Sequence, residues 1–348
     1  MRSARRTRTA AFTLVEVLVV STILVAMIGF LLTVMDQTAR IWTSTSAKVE
    51  QFREARYGFE RVSSRLAQAT LNAYWDYDNA AAPTRYERRS ELRFIADSAA
   101  SLLGTSGTTT RVTHAVFFNA PMGLAATDND RGLANALNAL GYFVEYGDDT
   151  LQRPAFITTD MIAARWRFRL MEFAQPTEKF SLYQFTNGNP GAKTTAWFTA
   201  DVNSTLNPGM KRAIAENVIA FVITPRLAKA EETPLQTNPT HSPLAPLYSY
   251  DSTNTNANPL LNPRNQLPPV VQFTMIATDD TSAEKLDLDS TKADVFEIVK
   301  SKLFTNTVNF AKDLATLEAT LALRRVRYRI FTTNVHIRAA KWSREQVN

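Results

Sequence analysis

Residues 12 to 35, FTLVEVLVVSTILVAMIGFLLTVM, form an apolar run of 24 residues broken by one charge, Glu16. In lipid the backbone must satisfy its own polar groups, so a stretch of this kind is a helix or it is not in the membrane. As a helix it extends about 36 Å at 1.5 Å per residue. That covers a bilayer core of about 30 Å. Arg2, Arg5, Arg6 and Arg8 precede it with no acid among them, and no comparable cluster follows Met35. By the positive-inside rule the N-terminus is cytoplasmic and the rest lies across the membrane. The remaining chain is long enough, and at 45% hydrophobic residues apolar enough, to bury a sizeable core. A single span in an otherwise water-soluble chain is expected.

The order of the signals matters. A secretory signal places its small-residue cleavage site after the apolar region, whereas Ala10 and Ala11 come before it. A cut there leaves the membrane helix at the start of the mature chain, beginning at Phe12. The formal charge of +6 would then fall to +2, because four arginines leave with the leader. Glu16 also needs an account, since a carboxylate at mid-membrane costs roughly 2.5–3.5 kcal/mol and normally has a partner. An amine freed at Phe12 has a reference pKa of about 7.7–8.0 and is mostly protonated at neutral pH. On a neighbouring subunit it could neutralise Glu16. The bland alternatives are a bitopic anchor with a snorkelling Glu16, or an uncleaved signal anchor.

A basic leader, a small residue, then Phe12-Thr13-Leu14-Val15-Glu16 and an unbroken apolar helix resemble the type IV prepilin and pseudopilin signature. The resemblance implies cleavage by a prepilin peptidase between Ala11 and Phe12, methylation of the new amine, and a role for Glu16 in filament assembly. The family usually carries Gly before the cut, where this chain has Ala11. Shorter similarities lie downstream. The stretches ENVIAFVITPR at 216 to 226 and LPPVVQFTM at 267 to 275 look like paired core strands of J-type minor pseudopilins of type II secretion. The stretch YRIFTTNVHIRAAKW at 328 to 342 resembles protein C of verrucomicrobial prepilin-like cassettes.

Beyond Met35 the pattern becomes one-sided. Trp42, Val49, Phe52, Ala55, Phe59, Val62, Leu66 and Ala69 recur at steps of three, four or seven, and no proline occurs before Pro83. A continuous helix from about Phe12 to Asn72 is expected, its second half packing on a sheet; a coiled-coil stalk is the alternative.

Strands are expected at 91–96, 111–119, 142–146, 164–172, 194–199, 218–224, 270–277 and 326–339, where apolar and β-branched runs alternate with turn-rich stretches. Helices are expected at 131–140 and 310–323. Residues 228–269, dense in Pro, Asn, Ser and Thr, read as a long surface excursion. Arg165, Arg167 and Arg169, and again Arg325, Arg327 and Arg329, alternate with apolar residues, which places each set on one strand face. A solvated face balanced by nearby acids is the expectation; an acidic subunit or DNA is the sharper alternative.

Chemistry leaves little trace. There is no cysteine, which excludes disulfides, thiolate catalysis and cysteine-based zinc sites. His114, His241 and His336 are widely separated and form no metalloprotease motif. The stretch GNPGAKTT at 188–195 lacks the spacing of a phosphate loop and reads as a turn. Acidic pairs at Asp128/Asp130, Asp148/Asp149, Asp279/Asp280 and Asp287/Asp289 could offer oxygen ligands to calcium, but none has EF-hand spacing, so solvated turns are expected.

The fold expected is α+β and pilin-like, a long N-terminal helix on a mainly antiparallel sheet domain. Its parts would be a leader at 1–11, the helix at 12–72, and a periplasmic domain at 73–348 carrying the 228–269 loop. The function expected is that of a minor pseudopilin, a structural subunit of a type II secretion-like pseudopilus in the bacterial inner membrane. It would be neither an enzyme nor a cofactor protein. Its partners would be the prepilin peptidase, the inner membrane and other pilin or pseudopilin subunits, with nucleic acid not expected. The alternatives are a minor type IV pilin that initiates pilus assembly for adhesion, motility or DNA uptake, and a membrane-anchored binding domain.

Overall fold

The structure is a computed structural model describing residues 13–104, 109–127, 132–133, 135–150, 153–154, 156–157, 161–182, 194–204, 210–235, 238–286 and 288–343, with backbone alone for 40–51. Residues up to Gln51 and residues from Phe52 onward form separate compact units, described in turn.

The first unit is helix α1, Leu14–Gln51. Its segment Leu14–Ala39 is 26 residues long and apolar enough to cross a membrane, and none of it is buried within the protein. Leu14, Phe30 and Met35 are 82%, 70% and 69% exposed. An apolar surface of this extent is covered by lipid or by other helices, not by its own chain.

The second unit opens with α2, Arg53–Leu66, so the helix is interrupted at Phe52 and ends before Asn72. Two-stranded β1 (Tyr74–Tyr77) and β2 (Tyr86–Arg89) follow. Then come β3 (Ile95–Ser98), α3 (Ala99–Leu103), β4 (Thr110–Pro121), β5 (Leu137–Gly147), β6 (Arg167–Gln175) and α4 (Ala196–Val202). The chain continues through β7 (Lys211–Glu216), β8 (Val218–Arg226), α5 (Lys229–Glu232), β9 (Tyr250–Asp251) and β10 (Val270–Thr278). It closes with α6 (Asp280–Lys285), α7 (Phe310–Leu323) and β11 (Tyr328–His336). One sheet has the order β7-β6-β5-β4-β3-β9 and another the order β11-β10-β8. Every pairing is antiparallel. The architecture is α+β: an apolar N-terminal helix followed by an antiparallel sheet unit, the arrangement of pilin-like proteins.

The six-stranded sheet is covered on both faces. On one, Phe118, Tyr142 and Leu170 pack with Val62 and Leu66 of α2 and with Phe221 and Phe273 of the smaller sheet. On the other, Phe117, Phe143 and Phe173 pack with Trp197 and Phe198 of α4. Burial of both faces explains why β4 and β5 read as nearly continuous apolar runs rather than as alternation. Phe117 lies across Gly141 of the neighbouring strand, where an added Cβ would come within 2.2 Å of its ring. Gly58 lets α2 approach Ala215 and Leu170 closely, at 3.2 and 3.3 Å from a Cβ built on it.

Two segments differ from expectation. Residues 137–140, read as part of a helix, open β5, because pairing with both β4 and β6 outweighs the helix propensity of Ala and Leu. Residues 196–199, read as a strand, belong to α4, whose Trp197, Phe198 and Val202 share one buried face. Part of the 228–269 stretch is internal, since Leu244, Ala245, Tyr248, Tyr250 and Leu267 are buried and β9 adds an edge strand to the large sheet.

Candidate functional site

At the head of α1, Thr13 and Glu16 form a reciprocal cap. The Thr13 N–H and the Thr13 hydroxyl both donate to Glu16 Oε2 at 3.0 Å. The Glu16 N–H donates back to Thr13 Oγ1 at 3.3 Å. This is a capping box, T-x-x-E, in which orphan donors of the first helical turn are satisfied from within. It consumes one carboxylate oxygen. Among the described residues Glu16 Oε1 accepts no hydrogen bond, and Glu16 is exposed. Thr13 was legible as a cap from the T-x-x-E spacing before an apolar run, but the charge alone drew attention to Glu16. Ala11 and Phe12 lie outside the described residues.

In the second unit α2 is held by charge as well as by packing. The carboxylate of Glu172 on β6 is fully buried and receives Arg61 Nε at 2.7 Å and Arg61 Nη2 at 3.0 Å. Arg212 of β7 reaches it at 2.6 Å, Arg65 at 3.4 Å and the Tyr142 hydroxyl at 2.9 Å. Burial pushes the Glu172 pKa up, but the Arg61 hydrogen bonds, the charge of Arg65 and the Arg212 hydrogen bond outweigh it and hold the group at about 2. Phe59 adds a stacked contact to Phe273 at 4.7 Å.

The smaller sheet is stapled to the larger one by a bulge in β4. Relative to β5 the strand carries two extra residues there, Thr113 at φ 57° and His114, which stays opposite Ser98 of β3. Thr113 Oγ1 accepts from the Phe221 N–H at 3.0 Å, and His114 Nδ1 accepts from the Ile223 N–H at 3.2 Å. His114 Nε2 donates to the Phe304 carbonyl at 2.9 Å. These bonds need the neutral imidazole, and burial lowers the His114 pKa to about 4.

The arginine rows have opposite fates. Arg165 pairs with Glu284 at 3.1 Å, Arg167 lies 3.8 Å from Asp280, and Arg169 lies 3.6 Å from Glu216. Arg167 and Arg169 are buried rather than on the solvated face expected. Arg325, Arg327 and Arg329 are exposed and form no ion pair among the described residues.

The acidic pairs serve local structure where they are described. Asp279 caps α6 through the Ser282 N–H, Asp289 accepts from Thr291, Asp148 accepts from Thr150, and Asp149 pairs with Arg153. Asp128, Asp130 and Asp287 lie outside the described residues, as do positions 188–193 of the GNPGAKTT stretch. Among the described residues no three His, Cys, Asp or Glu side chains cluster as metal ligands do. The chain matches no family model, no curated protein and no solved structure.

Proposed function

We propose that the chain is a minor pseudopilin, a low-stoichiometry subunit of a short filament that serves secretion. A prepilin peptidase would release it at the Ala11–Phe12 bond. The observation that carries the reading is the head of α1. A wholly exposed apolar helix is capped by Thr13 and Glu16, and one Glu16 oxygen is left for a partner. In a filament, sister helices cover the apolar surface and the protonated amine of a neighbouring Phe12 meets that oxygen. The size of the sheet unit fits a tip or minor position, since a unit this large would crowd a tightly packed helical shaft. A minor type IV pilin that initiates assembly shares all these features. Neighbouring genes for secretion or for retraction motors separate the two.

The test is N-terminal sequencing of the membrane-extracted protein. A chain beginning at methylated Phe12 is expected. A chain beginning at Met1 would leave an ordinary membrane anchor.

A further inference from the structure

Among the described residues each sheet edge is short, covered or closed, with one exception. β9 has two residues, β7 is irregularly paired and gives its Glu216 N–H to Glu54, and the outer side of β8 is closed by Thr113 and His114. The exception is β11, nine residues at the end of the smaller sheet, paired with β10 without a bulge. Its register fixes which backbone groups face outward. The Ile337 N–H donates to the Pro269 carbonyl at 3.2 Å and the Asp279 N–H to the Arg327 carbonyl at 3.2 Å, so the odd-numbered residues bond to β10. In an antiparallel pair the alternate residues then turn their N–H and C=O groups away. Those are Tyr328, Ile330, Thr332, Asn334 and His336, whose outward backbone groups have no hydrogen-bond partner among the described residues; just beyond them the Arg338 N–H donates to the Ala67 carbonyl at 3.1 Å and closes that end. Natural proteins seldom leave so long and regular an edge open without covering or breaking it.

Positive charge flanks this edge. Arg324, Arg325, Arg327 and Arg329 precede and open the strand, and Arg338 follows it; all are exposed, and none forms an ion pair.

We propose that β11 is a docking edge for an acidic, extended polypeptide segment of another protein, which adds to the smaller sheet as a further strand. Unpaired N–H and C=O groups are satisfied by polypeptide backbone, which nucleic acid does not offer. The unneutralised arginines select carboxylates on the incoming strand and disfavour a second β11, which brings the same charge. This surface does not depend on the filament reading and holds for an anchored monomer as well.

The test uses the detergent-solubilised full chain and a labelled peptide of roughly ten residues, a common strand length, alternating Glu with Val and Thr. Three comparisons accompany it: the same peptide N-methylated at alternate amides, a lysine analogue, and single-stranded DNA of equal charge. The acidic peptide is expected to bind at low salt. N-methylation, or the double substitution Arg327→Ala with Arg329→Ala, is expected to weaken binding at least about tenfold, equivalent to about 1.4 kcal/mol. Asn334→Pro, which removes an outward N–H and no hydrogen bond to β10, is expected to do the same. Absence of binding at concentrations on the order of 1 mM, or equal binding of the N-methylated peptide, would overturn the proposal. DNA binding as tight as that of the peptide would replace it with a nucleic-acid surface. Because the N-methyl comparison uses the unaltered protein, misfolding of a variant cannot obscure the answer.

Discussion

Arg61 meets Glu172 side-on, with Nε to Oε2 at 2.7 Å and Nη2 to Oε1 at 3.0 Å, across 111 residues of sequence. This bidentate pair ties α2 to the large sheet at a carboxylate that water does not reach. Charge-assisted forks of this geometry are among the stronger polar contacts in proteins. Arg65 and Arg212 share the same carboxylate, so its removal leaves three guanidinium groups facing one another.

Glu172→Gln is therefore expected to destabilise the folded chain by about 3–5 kcal/mol, the cost of breaking a buried pair from one side. Thermal unfolding of the detergent-solubilised protein reads this. Arg212→Ala removes the most exposed of the three partners and should cost clearly less. Equal losses would show that the carboxylate is not the hub.

His114 gives stability a pH dependence at mildly acidic pH. Its pKa falls from 6.5 to about 4 on folding, so below pH 6.5 the unfolded chain takes the proton first. The contribution is complete above pH 6.5, declines as pH falls, and is lost once pH passes about 4. At 1.36 kcal/mol per pKa unit the loss is about 3 kcal/mol. Urea unfolding between pH 7 and pH 4 should show it, and His114→Gln should flatten that part of the curve. The Glu172 contribution lies lower, being lost as pH falls from 4.5 through about 2.

Glu16 carries two separable roles, the local cap and the proposed intersubunit charge. Gln keeps an oxygen for the Thr13 N–H but has no charge; Ala has neither. If the charge drives assembly, Glu16→Gln and Glu16→Ala both abolish filaments in the envelope fraction, while Thr13→Val costs about 1 kcal/mol of cap and leaves assembly intact. Filaments from Glu16→Gln but not from Glu16→Ala would reduce the residue to its cap.

Gly141→Ala places a methyl group within 2.2 Å of the Phe117 ring, which is itself stacked on Phe198 with centroids 3.8 Å apart. Overpacking at such a site costs about 1–3 kcal/mol. A lowered unfolding temperature is expected, with partial recovery when Phe117→Leu makes room.

Several elements were readable because their signal is local. α7 occupies Phe310–Leu323, as its pattern predicts, and β4, β8, β10 and β11 follow their β-branched runs. Residues 137–140 and 196–199 depart from their local pattern because helix-favouring Ala-Leu and strand-favouring aromatics yield to their neighbours. The first is clamped between two strands, and the second lays its aromatics on a buried sheet face.

Sequence alone determines the character of α1, since an apolar run with a T-x-x-E head follows from composition and short spacing, whatever the rest of the chain does. It also sets the alternation of both arginine rows, although Arg165 precedes β6 and Arg325, at φ 55°, sits in the turn before β11. Only the tertiary structure decides their fates. Glu284, Asp280 and Glu216 come to one row from distant segments and neutralise it, while no carboxylate is folded against Arg325, Arg327 and Arg329. The same holds for His114 and Glu172, whose partners lie between 30 and 190 residues away. Periodicity assigns a side chain to a face; chain topology and burial decide what meets it there.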